Sequence, residues 1–160
     1  MRPVITLTTD FGLDDPFVGI MKGVILGICP NAELVDLTHS ISPQNVFQAA
    51  YALQSSAVFF PKNTIHLAVV DPGVGGRRRG IAIKTENYIF VGPDNGIFSS
   101  FLENYQAIEL TNKDYYLKTI SNTFHGRDIF APAAAWLAKG EPFEKLGQTL
   151  KKPIALYFPK

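Results

Sequence analysis

Short apolar runs of strand length alternate along the chain with segments whose apolar residues recur at helical spacing. The predicted strands are residues 4–9, 33–37, 65–70, 81–85, 88–91 and 107–110. The predicted helices begin near Asp15, Ser42 and Asp128, and the last one ends at Lys139. This order, β-α-β-α-β followed by a hairpin, predicts an α/β fold: a three-layer sandwich with a largely parallel central sheet.

Two acidic residues lie where predicted strands end, Asp10 after residues 4–9 and Asp71 after residues 65–70. In open, mostly parallel sheets, ligands bind in the crevice beyond the carboxyl ends of the strands. A carboxylate at this position can accept both hydrogen bonds of a ribose diol. These two acids are therefore the first candidates for a functional site.

The composition restricts the partners that the protein can have. The chain has 160 residues with a net charge of +1, 46% hydrophobic and 18% charged residues, and its one basic run is only three arginines long. We therefore expect neither nucleic acid nor membrane as a partner. The start Met-Arg-Pro leads into a strand without a signal peptide, so we expect a cytoplasmic protein. Cys29, in an apolar run, is expected to be buried and inert.

The segments that follow the two acids contain further candidates. Asp15 precedes Pro16 at the predicted start of the first helix, where an acid can act as the N-cap. The loop after Asp71 contains three glycines but lacks the lysine of a phosphate-binding P-loop. This loop is short enough for one of its arginines to return and pair with Asp71.

A third segment, His-Gly-Arg-Asp, precedes the last predicted helix. Asp128 is expected to be the N-cap of that helix, with Arg127 paired to it. His125 is either an ordinary loop histidine or a partner of Asp71 in the crevice, and sequence spacing leaves both open. His39 and His66 are weaker candidates, because His66 lies within an apolar strand. Histidine and cysteine spacing does not match a zinc site, and no metal is expected.

Several sequence motifs together resemble those of a known family. The motifs are TTDFG with Asp15, FVGIMKGVI, DLTHSI, VVDPGVG with Arg78, VGPDNG and FHGRDIFAPAAA. In this order they resemble the N-terminal domain of the S-adenosylmethionine hydroxide adenosyltransferases, which are related to fluorinating and chlorinating enzymes. The resemblance covers essentially the whole chain and implies a Rossmann-like sheet.

The resemblance also implies a reaction, in which water or hydroxide attacks the ribose 5′ carbon of S-adenosylmethionine to give adenosine and L-methionine. The catalytic set carried over by motif is Asp71, Arg78 and His125, of which Asp71 and His125 also contact the substrate. Asp10 matches the acid that binds the ribose hydroxyls, and Asp15 matches a residue near the methionine moiety. The substrate is a small molecule, and no cofactor is expected.

The family has a second, C-terminal β-barrel-like domain, and its members are homotrimers with sites between subunits. We accordingly expect residues 1–150 to form the N-terminal α/β catalytic domain and residues 151–160 to begin a linker to a domain that this chain lacks. The isolated domain is expected to hydrolyse its substrate poorly or not at all.

Two other functions stay open at this level. TTDFGLDD resembles the acidic motif of calcium-dependent nucleoside hydrolases, which would require Asp10, Asp14 and Asp15 to converge on a metal ion. A non-catalytic nucleoside-binding or assembly domain is the second alternative. Chelator-sensitive ribosidase activity would indicate the first, and binding without turnover would indicate the second.

Overall fold

The chain folds into a seven-stranded mixed sheet with helices on both faces. The computed structural model describes residues 2–158. The strands are β1 (Val4–Thr9), β2 (Glu33–Thr38), β3 (Thr64–Val69), β4 (Gly80–Lys84), β5 (Tyr88–Pro93), β6 (Gln106–Leu110) and β7 (Gly147–Thr149). The α-helices are α1 (Phe17–Ile28), α2 (Val46–Ser56) and α3 (Ala131–Lys139). The predicted α/β fold is confirmed, and β7 is a strand that the sequence did not predict.

The strand order is β2-β1-β3-β5-β4-β6-β7, and it divides the sheet into two regions. The pairs β1–β2, β1–β3 and β3–β5 are parallel, whereas β5–β4, β4–β6 and β6–β7 are antiparallel. The connection through α1 leads from β1 to β2, which lies on one side of β1 in the sheet. The connection through α2 leads from β2 to β3, which lies on the other side of β1. The strand order therefore reverses between β1 and β3, which is where ligands bind in such sheets.

Two hydrophobic clusters hold the three layers together. Buried residues of α1 and α3, among them Met21 and Ile25, pack on one face of the sheet against side chains such as Leu7 and Leu67. On the other face, Leu53 and two alanines of α2 pack against β3, β4 and β5. Alternate residues along each strand point to opposite faces, so a central strand buried on both sides is mostly apolar. This explains the largely apolar run of β3, in which Thr64 and His66 are the buried polar residues.

The first two helices begin later in the chain than predicted. In α1 the N-cap position is Pro16, and no side chain caps the helix, so the expected N-cap role of Asp15 is wrong. In α2 the N-cap is Asn45, whose side chain accepts a hydrogen bond from the backbone N–H of Gln48 at 3.0 Å. The Ser-Pro pair before α2 thus belongs to a loop, which continues through Gln44 at a φ of 63°.

The last helix is preceded by a five-residue π-helical turn, Gly126–Phe130. Asp128 lies inside this turn, so the expected N-cap role is wrong for this residue as well. Its buried carboxylate accepts hydrogen bonds from Arg127 Nε at 2.6 Å and from the Ser121 backbone N–H at 2.8 Å, which confirms the expected pairing with Arg127. Asp128 therefore fastens the loop that leads into α3.

The last described residues fold back onto the turn after β5. The backbone N–H of Ile154 donates to the buried Asp94 at 2.8 Å, and that of Leu156 donates to Ser99 Oγ at 2.7 Å. The predicted linker, residues 151–160, extends past residue 158, so residues 159 and 160 of that prediction lie outside the described part of the chain. The proposed boundary at residue 150 stays a prediction. Between residues 2 and 158, the helices are too short or too polar to cross a membrane.

Candidate active site

Asp10 and Asp71 lie side by side at the point where the strand order reverses. Thr9 and Val69 are paired in the parallel β1–β3 ladder, so the two chains leave the sheet next to each other. Both acids line a cleft of ≈ 180 Å³. The expectation that these strand-end acids share one crevice is confirmed by this placement.

Arg78 binds Asp71 through a two-point ion pair. Arg78 Nε donates to Asp71 Oδ1 at 2.8 Å, and Arg78 Nη2 donates to Asp71 Oδ2 at 2.5 Å. The loop between them turns tightly at Gly75, whose φ is 75°, and this lets the arginine return to the end of β3. The side chains are 12% and 6% exposed, respectively, so the pair is shielded from solvent and its charge-assisted hydrogen bonds are strong. Arg78 also lies over the Phe130 ring, 5.2 Å from its centroid.

His125, from the His-Gly-Arg-Asp segment before α3, joins the pair of Asp71 and Arg78. Its Nδ1 lies 2.8 Å from Arg78 Nη2. A guanidinium can only donate, so Nδ1 accepts this hydrogen bond and the imidazole proton resides on Nε2. Burial lowers the pKa of His125, and the positive charge of Arg78 lowers it further, while Ser121 and Asp71 act in the opposite direction. His125 is therefore neutral at neutral pH and offers its Nε2–H as a donor.

The Asp10 carboxylate is held by the loop that precedes α2. Its Oδ2 accepts a hydrogen bond from the backbone N–H of Gln44 at 2.7 Å, which leaves Oδ1 available to a ligand. Gln44 itself lines the cleft in a left-handed conformation, φ 63°. Such backbone strain is tolerated where the surroundings fix it, and it concentrates at functional sites.

An aromatic cluster that sequence reasoning missed forms one wall of the cleft. Phe11, Phe17 and Phe124 pack edge to face with ring centroids 5.4–6.1 Å apart, and the first and last of them line the cleft. Apolar walls with a few polar groups are typical of small-molecule sites. The signal was present in the sequence, because Phe11 follows Asp10 directly and Phe124 precedes His125.

The remaining candidates lie outside the cleft. Asp15 is exposed and is absent from the cleft lining, so its expected contact with substrate stays a prediction. His66 is fully buried in β3, as expected for a core histidine, and His39 is 4% exposed. Cys29 is free and 1% exposed, which confirms that it is buried.

The calcium-site hypothesis required three acids to converge. Within residues 2–158, no three His, Cys, Asp or Glu side chains lie close enough together to hold a metal ion. Asp10 points into the cleft, whereas Asp14 and Asp15 are exposed on the loop before α1. The arrangement thus provides no ligand set of the kind that this hypothesis needs.

Comparisons with known proteins identify the relatives of this chain. The chain is 42% identical to an (R)-S-adenosyl-L-methionine hydrolase of Salinispora tropica over 98% of its own length. A fluorinase of Actinopolyspora mzabensis is a more distant relative, at 28% identity over 94% of the chain. The chain spans 61% of the length of the Salinispora relative and 59% of that of the fluorinase.

The fold agrees with a solved structure as well. A crystal structure of an uncharacterized conserved protein from Thermotoga maritima matches with a TM-score of 0.94 and 42% identity, covering 98% of this chain and 62% of the other. The family model of the SAM hydroxide adenosyltransferase N-terminal domain matches residues 5–147, which is most of the chain. This chain therefore belongs to the SAM hydroxide adenosyltransferase family, over its N-terminal domain.

Proposed function

We propose that this chain carries the catalytic half of an enzyme that hydrolyses S-adenosyl-L-methionine to adenosine and L-methionine. The observation that carries the proposal is the hydrogen-bonded set of Asp71, Arg78 and His125, of which Asp71 and His125 line the same cleft as Asp10. Asp10 would bind the ribose hydroxyls, which directs the 5′ carbon toward the set. The relatives that are 39–42% identical and named for this hydrolysis support the substrate class.

The reaction needs a positioned nucleophile more than it needs an acid. The water oxygen forms a bond to C5′ while the C5′–S bond breaks, its electron pair goes to sulfur, and one water proton is released. The sulfonium leaves as a neutral thioether, so no group has to protonate it. Alignment of the water with the C5′–S bond and favourable electrostatics supply the rate enhancement.

The hydrogen-bond pattern supports a different role for each member of the set. Because the Nδ1 of His125 is occupied by Arg78, His125 would orient the water through Nε2–H and would not act as the base. Asp71 retains lone pairs beside those used by Arg78 and would take the proton. Arg78 fixes the orientation of both partners through these hydrogen bonds.

The complete pocket needs more than this chain. A cleft of ≈ 180 Å³ is smaller than the roughly 300–1,000 Å³ of pockets that enclose a small ligand. We therefore propose that the full-length protein is a cytoplasmic homotrimer, in which the C-terminal domain of a neighbouring subunit closes each site over the substrate. Neither nucleic acid nor membrane is part of this proposal.

The test is turnover of S-adenosylmethionine by the chain in ¹⁸O-labelled water, followed by mass spectrometry. We expect slow release of adenosine that carries ¹⁸O at the 5′ position, together with methionine. Arg78→Lys should lower this rate by roughly a hundredfold or more, because a lysine cannot bind Asp71 and His125 together.

Arg79→Lys is the matched control, since the Arg79 guanidinium pairs with Asp94 instead of Asp71 and the variant should keep the wild-type rate. Release of adenine would instead indicate a ribosidase. Adenosine binding without any turnover, also after addition of a C-terminal domain from a relative, would indicate a non-catalytic nucleoside-binding domain. Either result would contradict the proposal.

A further inference from the structure

A chain of hydrogen bonds outside the cleft connects three elements of the fold. Lys22 Nζ, on α1, donates to Asp36 Oδ2 at 2.7 Å, and His39 Nε2 lies 2.7 Å from Asp36 Oδ1 at the end of β2. On its other side, His39 Nδ1 lies 2.7 Å from Thr9 Oγ1, the last residue of β1. These four residues are referred to here as the Thr9–Lys22 network.

Every proton in this network has a definite place when His39 is neutral. The carboxylate of Asp36 can only accept, so His39 Nε2 carries the proton and donates it. His39 Nδ1 is then an acceptor, and the Thr9 hydroxyl donates to it. The Thr9 oxygen is left to accept another hydrogen bond, which it receives from the backbone N–H of Phe11 at 3.2 Å.

The network holds the backbone on both sides of Asp10. Thr9 precedes Asp10 and binds the N–H of Phe11, the residue after it. The carbonyl oxygen of His39 accepts a hydrogen bond from the N–H of Gly12 at 2.8 Å, where the chain turns with φ 69°. His39 therefore restrains this turn twice, through its side chain and through its backbone.

The burial of the network and the strand pairing beside it indicate that these side chains do more than join β1 to β2. Thr9 is fully buried and His39 is 4% exposed, and a fully satisfied buried polar network rigidifies the part of the fold that it joins. The β1–β2 ladder, from Val4–Glu33 to Thr8–Thr38, already joins the strands without these side chains. Burial tends to raise the pKa of Asp36, but hydrogen bonds from His39 and Lys22 lower it overall, so the carboxylate stays ionised.

We propose that Asp36 and His39 are positioning residues for Asp10: they fix the turn after β1, so that the Asp10 carboxylate is already oriented toward the ribose hydroxyls when the substrate arrives. The proposal rests on the proposed function, in which Asp10 binds the ribose. Neither residue lines the cleft, so they act through Thr9 and the turn and not on the substrate itself.

The first measurement needs no ligand. Amide hydrogen exchange of the Phe11 N–H should be roughly fivefold to tenfold faster in Asp36→Ala than in the wild type, as expected for the loss of one hydrogen bond. Glu33→Ala is the matched control, because Glu33 lies at the other end of β2 in a similar exposed ion pair, with Arg2. Exchange of Phe11 that is unchanged in Asp36→Ala, or equally faster in Glu33→Ala, would overturn the proposal.

The second measurement connects the network to the ribose. The affinity of the chain for adenosine and for 2′,3′-dideoxyadenosine is measured by calorimetry in the wild type, Asp36→Ala and Asp10→Asn. We expect Asp36→Ala to lower the affinity for adenosine several-fold and to leave the affinity for the dideoxy compound unchanged. In an Asp10→Asn background, Asp36→Ala should have no further effect on the affinity for adenosine.

The two measurements separate the two possible failures. If Asp36→Ala lowered the affinity for both nucleosides equally, this would show a general structural role and overturn the positioning role. A wild-type chain that does not prefer adenosine to the dideoxy compound would contradict the ribose-binding role of Asp10, and thus the proposed function, while the exchange at Phe11 would still decide whether the network holds the turn.

Discussion

At the scale of single residues, the site is defined by how donors and acceptors are shared. Arg78 donates to two oxygens of Asp71 and to a ring nitrogen of His125, and this sharing fixes the tautomer of the imidazole. The sequence indicated only that one of three arginines could pair with Asp71, and the choice of Arg78 came from the family resemblance. The approach of His125, 47 positions away, depends on tertiary structure that spacing does not contain.

A second histidine, His66, makes folding stability sensitive to acid. It packs among Phe60, Tyr88 and Phe90, and its Nε2 has no hydrogen-bond partner within residues 2–158. Burial lowers the pKa of His66 from 6.5 to about 4. Protonation is therefore favoured in the unfolded chain. The stability contribution of neutral His66 is fully present above pH 6.5 and declines as the pH falls toward 4.

We expect the free energy of unfolding of the wild type to fall by about 2 kcal/mol more between pH 7.5 and 5 than that of His66→Phe. Phenylalanine keeps the aromatic packing but does not titrate, so the difference isolates this histidine from the carboxylates. Urea unfolding at the two pH values measures it. Parallel pH dependence in the two proteins would show that His66 is not the group responsible.

At the scale of elements, periodicity predicted which segments are strands and helices, but local chemistry decided where they end. Asn45 and not Ser42 caps α2, because its side chain reaches the N–H of Gln48. Asp128 was expected to cap α3, and instead it lies buried in the π-helical turn before it. Both errors arise because Ser, Asp and Asn all favour helix starts, and tertiary contacts choose among them.

Glycine-to-alanine substitutions should change the stability of the fold in opposite directions at two positions, one at a helix end and one inside a helix. Gly140 follows α3 with a φ of 105°, so Gly140→Ala should destabilise the chain by about 1 kcal/mol. Gly23 lies exposed within α1, with open space at its Cβ position, so Gly23→Ala should stabilise it by a similar amount. Thermal unfolding of both variants tests this, and a shift in the same direction would contradict it.

At the scale of the whole molecule, the site exists because the strand order reverses between β1 and β3. The reversal places Asp10 next to Asp71, and the α2 and α3 entry loops supply Gln44 and His125 to the same cleft. The alternating pattern of the sequence predicted the class of fold and the crevice acids. It did not predict the antiparallel strand β7, which is only three residues long and has no apolar alternation.

The most direct test of the account is the position of adenosine bound to this chain, determined by crystallography or by NMR contacts. We expect the ribose hydroxyls to lie on Asp10, with C5′ facing Asp71, Arg78 and His125. A larger cavity of ≈ 780 Å³ lies between β6 and the residues around Phe143, away from these side chains. Adenosine bound there, or bound in the cleft with C5′ directed away from Asp71, would contradict the account.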